Sequence, residues 1–258
     1  MLQFSKYQGT GNDFVITDNR ATKTTYTTQQ IAHICHRKTG IGADGFITLE
    51  QHTTYDFEMK YYNADGNEST MCGNGGRCLV QFAYDIGIKK ETYNFIAIDG
   101  SHTATIADNG WVHLQMTPVH TVTTIGQHYI LNTGSPHYIV PDNDVEHTNV
   151  TVAGKQIRYN ATFAEQGINV NFVQLLNSDS IFVRTYERGV EDETLSCGTG
   201  VTAAALVHAH NDRGFNVINI KTLGGKLRVE FDKLDDQTYE NIWLCGPATK
   251  VYGGIINL

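Results

Sequence analysis

Two short segments, MCGNGGR at residues 71–77 and SCGTGVT at residues 196–202, share the pattern Cys-Gly-x-Gly. Each opens an apolar stretch that is typical of a helix. Their cysteines, Cys72 and Cys197, are separated by close to half of the 258-residue chain. The repeat therefore predicts two similar domains, each of which presents one cysteine at the start of a helix.

The residues around the two motifs predict the fold of each domain. A β-rich run and an acidic turn precede each motif, and three further strand-like runs follow it. The helices, expected at residues 77–86 and 201–210, are apolar nearly all round, so each must be surrounded by other elements. We therefore predict an α+β fold in which each domain is a curved, mostly antiparallel sheet or barrel wrapped around a central helix.

The domain boundary is expected near Pro118. We expect residues 1–117 to form a first domain that carries Cys72, and residues 118–249 to form a second that carries Cys197. Residues 250–258 are expected to return to the first domain as a strand. No low-complexity linker separates the halves, so we expect the active site in a rigid cleft between them.

The composition argues against several classes of function. The formal charge is −8 and the lysines and arginines are not clustered, which argues against nucleic acid or a membrane surface as a partner. The first residues do not read as a signal peptide and no apolar stretch has the length of a membrane span, so we expect a cytoplasmic protein that acts on a small molecule. Five cysteines, an odd number, then indicate reduced thiols rather than a disulfide framework.

A cysteine at a helix N-terminus lies beside the positive end of the helix dipole, which favours the thiolate over the thiol. The neighbouring glycines let backbone N–H groups approach a carboxylate closely. Two such motifs could hold one carboxylate between them, with one sulfur removing an α-proton and the other returning a proton to the opposite face. The pattern thus predicts inversion of a stereocentre without a cofactor or a metal.

Three motifs resemble the signatures of the diaminopimelate epimerase family. They are GTGNDF at residues 9–14, MCGNGGRC at residues 71–78, and YERG at residues 186–189 together with ETLSCGTG at residues 193–200. The resemblance continues to VYGG at residues 251–254. It implies interconversion of LL- and meso-2,6-diaminopimelate for lysine and peptidoglycan precursors, without pyridoxal phosphate or metal, by a homodimer.

The resemblance also implies roles for individual residues. Cys72 and Cys197 match the base and acid pair, and His137 and Glu187 match the polar groups that assist the thiols. The residues that match substrate-binding positions are Asn12, Asn63, Gly73, Asn74, Asn169, Glu187, Arg188, Gly198 and Thr199. Taken singly, Asn12, Asn63 and Asn169 would also fit ordinary turn or strand-end positions.

Two positions depart from the family pattern. Ser135 stands where the family often has asparagine before Pro-His, and Gly45 stands where some members have glutamine. A hydroxyl can replace one amide hydrogen bond, whereas glycine offers no side chain. We expect substrate contacts at these two positions to be shorter, mediated by water or absent.

The remaining candidate motifs have plainer interpretations. A helix is expected over residues 28–38, and Cys35 within it, Cys78 and Cys245 are expected to be packing residues. His33, Cys35 and His36 lack a second ligand pair at a recognisable spacing, so we expect no metal there. The G-x-G-x-x-G match at residues 40–45 precedes a strand rather than a helix, which argues against a dinucleotide site. Residues 191–193, Glu-Asp-Glu, are expected to form a solvated acidic turn.

Three alternative functions remain open at this stage. A proline or hydroxyproline racemase has a similar architecture but typically carries histidine where Asn74 stands. A thiol-redox or metal-binding protein would use Cys72 and Cys197 as a switch, although the sequence has no Cys-x-x-Cys. A binding module with the duplicated fold would bind the substrate without turnover.

Overall fold

The computed structural model of the chain describes residues 1–257. These residues form two compact units. The first comprises residues 1–114 together with the described C-terminal residues from Gly246 onward, and the second comprises Gln115–Cys245. In the described part of the chain, none of the helices is both long enough and apolar enough to cross a membrane.

The first unit contains two helices, α1 (Thr28–Cys35) and α2 (Gly73–Asp85). Its strands are β1 (Leu2–Gly9), β2 (Asn12–Asp18), β3 (Gly45–Glu50), β4 (Phe57–Asn63), β5 (Glu68–Ser69), β6 (Thr92–Ala97), β7 (Gly100–Ile106), β8 (Val112–Gln115) and the last strand of the chain, β18 (Thr249–Ile256). They pair in the order β18-β1-β2-β3-β4-β6-β7-β8, with the short β5 on β4. All of these pairs are antiparallel except β2 with β3 and β4 with β6.

The second unit repeats this arrangement with helices α3 (Val150–Arg158) and α4 (Gly198–Val207). Its strands are β9 (Val122–Ile125), β10 (His128–Asn132), β11 (Pro136–Pro141), β12 (Asn169–Asn177), β13 (Ser180–Glu187), β14 (Asp192–Thr194), β15 (Gly214–Thr222), β16 (Gly225–Lys233) and β17 (Tyr239–Gly246). They pair in the order β9-β10-β11-β12-β13-β15-β16-β17, with β14 on β13. The parallel pairs, β11 with β12 and β13 with β15, fall at the same places as in the first unit.

Each sheet is covered on both faces by helices of its own unit. Helix α2 contacts β1, β2, β3, β4 and β7, and helix α4 contacts β10, β11, β12, β13, β15 and β16. On the other face, α1 packs on β3, and α3 packs on β12 and β13. The predicted α+β fold, with a mostly antiparallel sheet around a central helix in each half, is confirmed.

The central helices begin at the motifs, because Gly73 and Gly198 are their first residues. Helix α4 is buried along nearly its whole length, as its apolar composition predicts. The same prediction is wrong for the last turn of α2, where Tyr84 and Asp85 are exposed. Asp85 accepts hydrogen bonds there from Tyr7 and Gln81.

Helix α1 is shorter than the sequence predicts. A helix was expected over residues 28–38, and it ends at Cys35 because His36 has an extended backbone. The next residue, Arg37, pairs with Asp13 and Asp44 instead of continuing the helix. Arg37 thus donates three hydrogen bonds to carboxylates, and the helix is about one turn shorter than predicted.

Candidate active site

Both motif cysteines are the N-cap residues of the central helices. Cys72 has φ −91° and ψ 129°, and Cys197 has φ −108° and ψ 113°, so both are extended residues at the point where helical backbone begins. Neither thiol takes a capping hydrogen bond to its own helix. The first backbone N–H groups of a helix have no acceptor within the helix, so each helix start can bind an anion beside the sulfur.

In the first unit, the amides of Asn12 and Asn74 lie beside Cys72. The Cys72 Sγ atom is 3.6 Å from Oδ1 of Asn12, and Nδ2 of Asn74 is 3.4 Å from the same oxygen. Asn12 begins β2 and Asn74 lies in the first turn of α2. The fold therefore brings these three predicted site residues together.

The orientation of Asn74 is set by a buried charge that the sequence analysis missed. Arg77 is fully buried one turn further along α2, and its Nη2 donates to Oδ1 of Asn74 at 2.8 Å. Its Nη1 donates to the carbonyl of Gly73 at 3.2 Å. An arginine inside an otherwise apolar helix was the available signal, because a buried arginine needs polar partners.

Asn63 and Gly45 lie opposite each other on β4 and β3. The Asn63 side chain is exposed. A Cβ atom built on Gly45 would lie 2.5 Å from the Tyr61 ring and 2.8 Å from the carbonyl oxygen of Tyr62. The space that a glutamine would need at position 45 is therefore filled by Tyr61.

In the second unit, Cys197 begins a continuous line of hydrogen bonds. Its Sγ is 3.5 Å from Oγ1 of Thr199, and that hydroxyl is 2.9 Å from Nε2 of His137. Nδ1 of His137 is 2.8 Å from Oδ1 of Asn171, whose Nδ2 donates to Thr185 at 2.7 Å. Three predicted site residues are therefore linked to two buried polar residues that the sequence analysis did not select.

His137 is fully buried, and this changes its protonation. Burial lowers the pKa of His137 to about 4, because it outweighs the opposing effect of the hydrogen bond with Asn171; the charge of Arg188 adds a smaller lowering. The imidazole is therefore neutral near pH 7. A neutral ring can exchange a proton with the Thr199 hydroxyl, but it carries no positive charge to stabilise a thiolate.

The sequence signal that could have identified Asn171 is its spacing of two residues from Asn169. Residues 169–171 read Asn-Val-Asn within an otherwise apolar strand, so Asn169 and Asn171 point to the same face. Asn171 is fully buried and Asn169 is nearly so. Two amides buried on one strand face require partners, and that requirement indicates a polar network.

A second cluster in this unit joins Ser135, Asn169 and Arg188. The Asn169 Nδ2 donates to Oγ of Ser135 at 2.9 Å, and its Oδ1 accepts from the backbone N–H of Arg188 at 2.9 Å. The Arg188 Nη2 is 3.5 Å from the Ser135 hydroxyl. The serine therefore takes part in the cluster through its single hydroxyl.

Glu187 ends β13, half-buried, and accepts a hydrogen bond from Thr194 Oγ1 at 2.8 Å. The acidic residues that follow are not a solvated turn, so that prediction is wrong. Asp192 and Glu193 belong to β14, and Glu193 pairs with Arg184 at 2.6 Å. Glu191 accepts from the hydroxyl of Tyr186 at 3.1 Å. These contacts form because β14 pairs back on β13 and brings the acidic side chains onto its polar groups.

The other cysteines are packing residues, as predicted. Cys35, Cys78 and Cys245 are all buried. Burial raises the pKa of both the Cys35 and the Cys78 thiol to about 12. A thiol with such a pKa does not ionise near neutral pH, so neither Cys35 nor Cys78 can serve as a base there.

Comparisons with known proteins identify the family of the chain. The family model described as diaminopimelate epimerase matches residues 4–122 and 129–251. A diaminopimelate epimerase of Flavobacterium psychrophilum is 47% identical over 97% of this chain and 98% of its own length. A diaminopimelate epimerase of Chlorobaculum tepidum is 42% identical over 97% of this chain and 99% of its own.

Solved structures share the fold at much lower identity. A phenazine biosynthesis protein of the PhzF family from Bacillus anthracis has a TM-score of 0.72 at 16% identity, over 99% of both chains. A hydroxyproline epimerase from Agrobacterium vitis, with bound trans-4-hydroxy-L-proline, has a TM-score of 0.68 at 14% identity, over 98% of this chain and 90% of its own. These likenesses concern the fold. The sequence comparisons decide the family, and the chain belongs to the diaminopimelate epimerase family.

Proposed function

We propose that this chain interconverts LL- and meso-2,6-diaminopimelate by removing and returning the α-proton, with Cys72 and Cys197 as the two acid–base groups. The observation that carries the proposal is the matched placement of the two cysteines. Each is the N-cap of a buried helix that begins with glycine, in a unit of the same topology. Membership of the family and identity of up to 47% to proteins named diaminopimelate epimerase support the choice of substrate.

In this proposal the helix starts bind the carboxylate next to the reacting carbon. Backbone N–H groups of Gly73, Asn74, Gly198 and Thr199 are the donors. One cysteine, as thiolate, removes the α-proton, and the other, as thiol, donates its proton to the opposite face. The sulfurs exchange their protonation states in each turnover, so no cofactor or metal is needed.

Polar side chains of each unit are proposed to assist. Thr199 and His137 form a path by which the proton on Cys197 can be shared, because their hydrogen bonds follow one another without a break. Asn12, Asn63, Asn169, Arg188 and Glu187 are proposed to bind the rest of the substrate. Arg188 suits a distant carboxylate because its guanidinium offers two parallel donors.

The setting of the activity is part of the same proposal. We propose that the protein works in the cytoplasm as a homodimer, on a free small molecule and without nucleic acid or membrane as partner. The family resemblance supports the dimer, and the absence of clustered basic residues supports the small-molecule substrate.

The decisive experiment is isotope exchange. Protein incubated with LL-diaminopimelate in deuterated water should produce the meso form with deuterium at the inverted carbon. Exchange into proline with none into diaminopimelate would instead identify a proline-type racemase. If neither amino acid exchanges, the proposed chemistry is wrong.

Three cysteine variants assign the roles. Cys72→Ala and Cys197→Ala should each abolish inversion, while binding of a substrate analogue is largely kept. Cys35→Ala is the matched control, because Cys35 is a buried cysteine of the first unit outside the motif, and it should retain activity. Turnover in either motif variant would exclude the two-base mechanism.

A further inference from the structure

In the first unit, the side chains of Asn12 and Asn74 form a chain of hydrogen bonds with a charged group at each end. Arg77 donates to Oδ1 of Asn74 at 2.8 Å, and Nδ2 of Asn74 faces Oδ1 of Asn12 at 3.4 Å. Nδ2 of Asn12 then donates to Oδ2 of Asp44 at 2.7 Å. A guanidinium can only donate and a carboxylate can only accept, so the two ends force one direction on both amides.

Asp44 is itself held firmly. Its backbone N–H donates to Oδ1 of Asp13 at 3.0 Å, and the backbone N–H of Asp13 donates back to Oδ2 of Asp44 at 3.1 Å. Arg37 donates to the other carboxylate oxygen, Oδ1, at 2.6 Å. The carboxylate therefore presents Oδ2 toward Asn12 in a defined place.

The direction of these hydrogen bonds determines which amide atom of Asn12 faces the sulfur of Cys72. Because Nδ2 of Asn12 is taken by Asp44, its Oδ1 is the atom 3.6 Å from Sγ of Cys72. A reversed Asn12 amide would place its oxygen against the Asp44 carboxylate and its NH₂ against the NH₂ of Asn74. The sulfur thus faces an acceptor, which can take a hydrogen bond from the thiol but cannot donate one to the thiolate.

We propose that Asp44 is a positioning residue of the Cys72 half-site, which holds the Asn12 amide so that its oxygen faces the sulfur. The inference rests on the proposed function in one respect, the assignment of Cys72 as an acid–base group. Asp44 acts through Asn12 and need not touch the substrate. Asp44 is 32 residues from Asn12 in the sequence, and the two side chains lie together because β2 and β3 run in parallel.

Other charged groups belong to the same network and must be considered in any test that varies pH. They are Lys6 on β1, Asp13 on β2, Arg37 before β3 and Arg77 on α2. Burial raises the pKa of Asp13, but hydrogen bonds from Arg37 and Lys6 outweigh it and hold that pKa well below its usual range. Hydrogen bonds with Asp13 in turn raise the pKa of Arg37, so Asp13 and Arg37 keep their charges across the neutral range.

The test compares Asp44→Ala with Asp44→Asn in the full-length protein. Alanine removes the acceptor and leaves the long 3.4 Å contact with Asn74 to hold the Asn12 amide, which can then turn and donate Nδ2 to a thiolate. Asparagine removes the charge but keeps an oxygen that can accept from both Asn12 and the Asp13 backbone. Its NH₂ then faces Arg37, whose side chain is 59% exposed and can turn toward solvent.

The first readout is the pH dependence of iodoacetamide alkylation at each cysteine, measured by mass spectrometry. Trypsin places Cys72 alone in the peptide of residues 61–77 and Cys197 alone in the peptide of residues 189–213. In Asp44→Ala, the Cys72 profile should move by roughly one pH unit toward lower pH, and the Cys197 profile should stay in place. Asp44→Asn should restore the Cys72 profile to within a fraction of that shift.

The second readout is turnover, in which Asp44→Ala should lower kcat roughly tenfold, with most of that loss recovered in Asp44→Asn. An equal shift of the Cys72 profile in both variants would show that only the charge matters and would overturn the proposal. An unchanged Cys72 profile in Asp44→Ala would also overturn it. If Asp44→Ala does not fold, Asp44→Val, whose side chain also has no acceptor, takes its place with the same expectations.

Alkylation requires no epimerase activity, so the two proposals can fail separately. A shifted Cys72 profile in a protein that exchanges no deuterium into diaminopimelate would leave the positioning role and remove the proposed function. Normal deuterium exchange with an unshifted Cys72 profile would leave the proposed function and remove the positioning role.

Discussion

The Nε2 atom of His137 lies 2.9 Å from Oγ1 of Thr199, within a line of hydrogen bonds that reaches Cys197. Asn171 faces the other ring nitrogen, where its Oδ1 accepts the Nδ1 proton at 2.8 Å. Nε2 of the neutral ring is therefore the acceptor and the Thr199 hydroxyl is its donor. The same hydroxyl can accept a hydrogen bond from the Cys197 thiol, so Thr199 links His137 to the sulfur in this line.

Removing that hydroxyl tests the line directly. Thr199→Val should lower kcat by roughly tenfold to a hundredfold, because proton sharing between Cys197 and His137 is interrupted. Thr199→Ser keeps the hydroxyl and should retain most of the activity. Deuterium incorporation into diaminopimelate measures both variants, and equal rates for valine and serine would contradict this role.

The buried His137 should make the stability of the protein depend on pH. Burial lowers the pKa of His137 from 6.5 to about 4, so between these values the unfolded chain binds a proton that the folded chain does not. The free energy of unfolding should therefore fall as the pH is lowered from 6.5 to 4, by up to about 3 kcal/mol from this group. Urea unfolding across this range should show a weaker dependence in His137→Gln, and the exposed control His120→Gln should keep the full dependence.

The second glycine of the two Cys-Gly-x-Gly motifs, Gly75 in one and Gly200 in the other, offers a matched comparison. A Cβ atom on Gly200 would lie 2.3 Å from Nδ2 of Asn171, whereas one on Gly75 would lie no closer than 3.3 Å to Ile47 Cδ1 and 3.4 Å to the Phe14 ring. Gly200→Ala should therefore cost about 1–3 kcal/mol and lower activity, because Asn171 and His137 must move. Gly75→Ala should change stability by less than about 1 kcal/mol, since alanine favours helices. Thermal unfolding and the exchange assay measure both, and equal effects would contradict the steric argument.

The acidic segment that follows Glu187 should contribute to stability through one residue. Both carboxylate oxygens of Glu193 accept from Arg184, at 2.6 and 2.7 Å. Glu193→Gln should lower the free energy of unfolding by about 1–3 kcal/mol, because Arg184 loses a two-point partner. The neighbouring Asp192→Asn is the control and should change it by less than about 1 kcal/mol, since Asp192 is exposed. Chemical denaturation measures the free energy of unfolding of both variants. An unchanged value in Glu193→Gln would show that the segment is solvated.

The fold was predictable from the sequence because its strongest local signals coincide. Cysteine, glycine and an apolar run indicated both central helices, and the structure begins α2 and α4 within the motifs. Local signals failed where a long-range contact decided the outcome. Helix α1 ends early because Arg37 pairs with carboxylates on other segments, and the acidic Asp192 and Glu193 lie in a strand because β13 is beside them.

For the candidate site, the sequence by itself indicated the two cysteines, the glycines beside them and most of the polar residues around them, because motif spacing and residue type carry that information. Only the tertiary structure decided how those side chains are oriented. Arg77, Asp44 and Asn171 are not among the site residues predicted from the sequence, yet each sets the direction of a neighbouring amide or imidazole. Hydrogen-bond direction depends on which donor and acceptor meet in space, and that pairing is fixed only when the strands and helices pack.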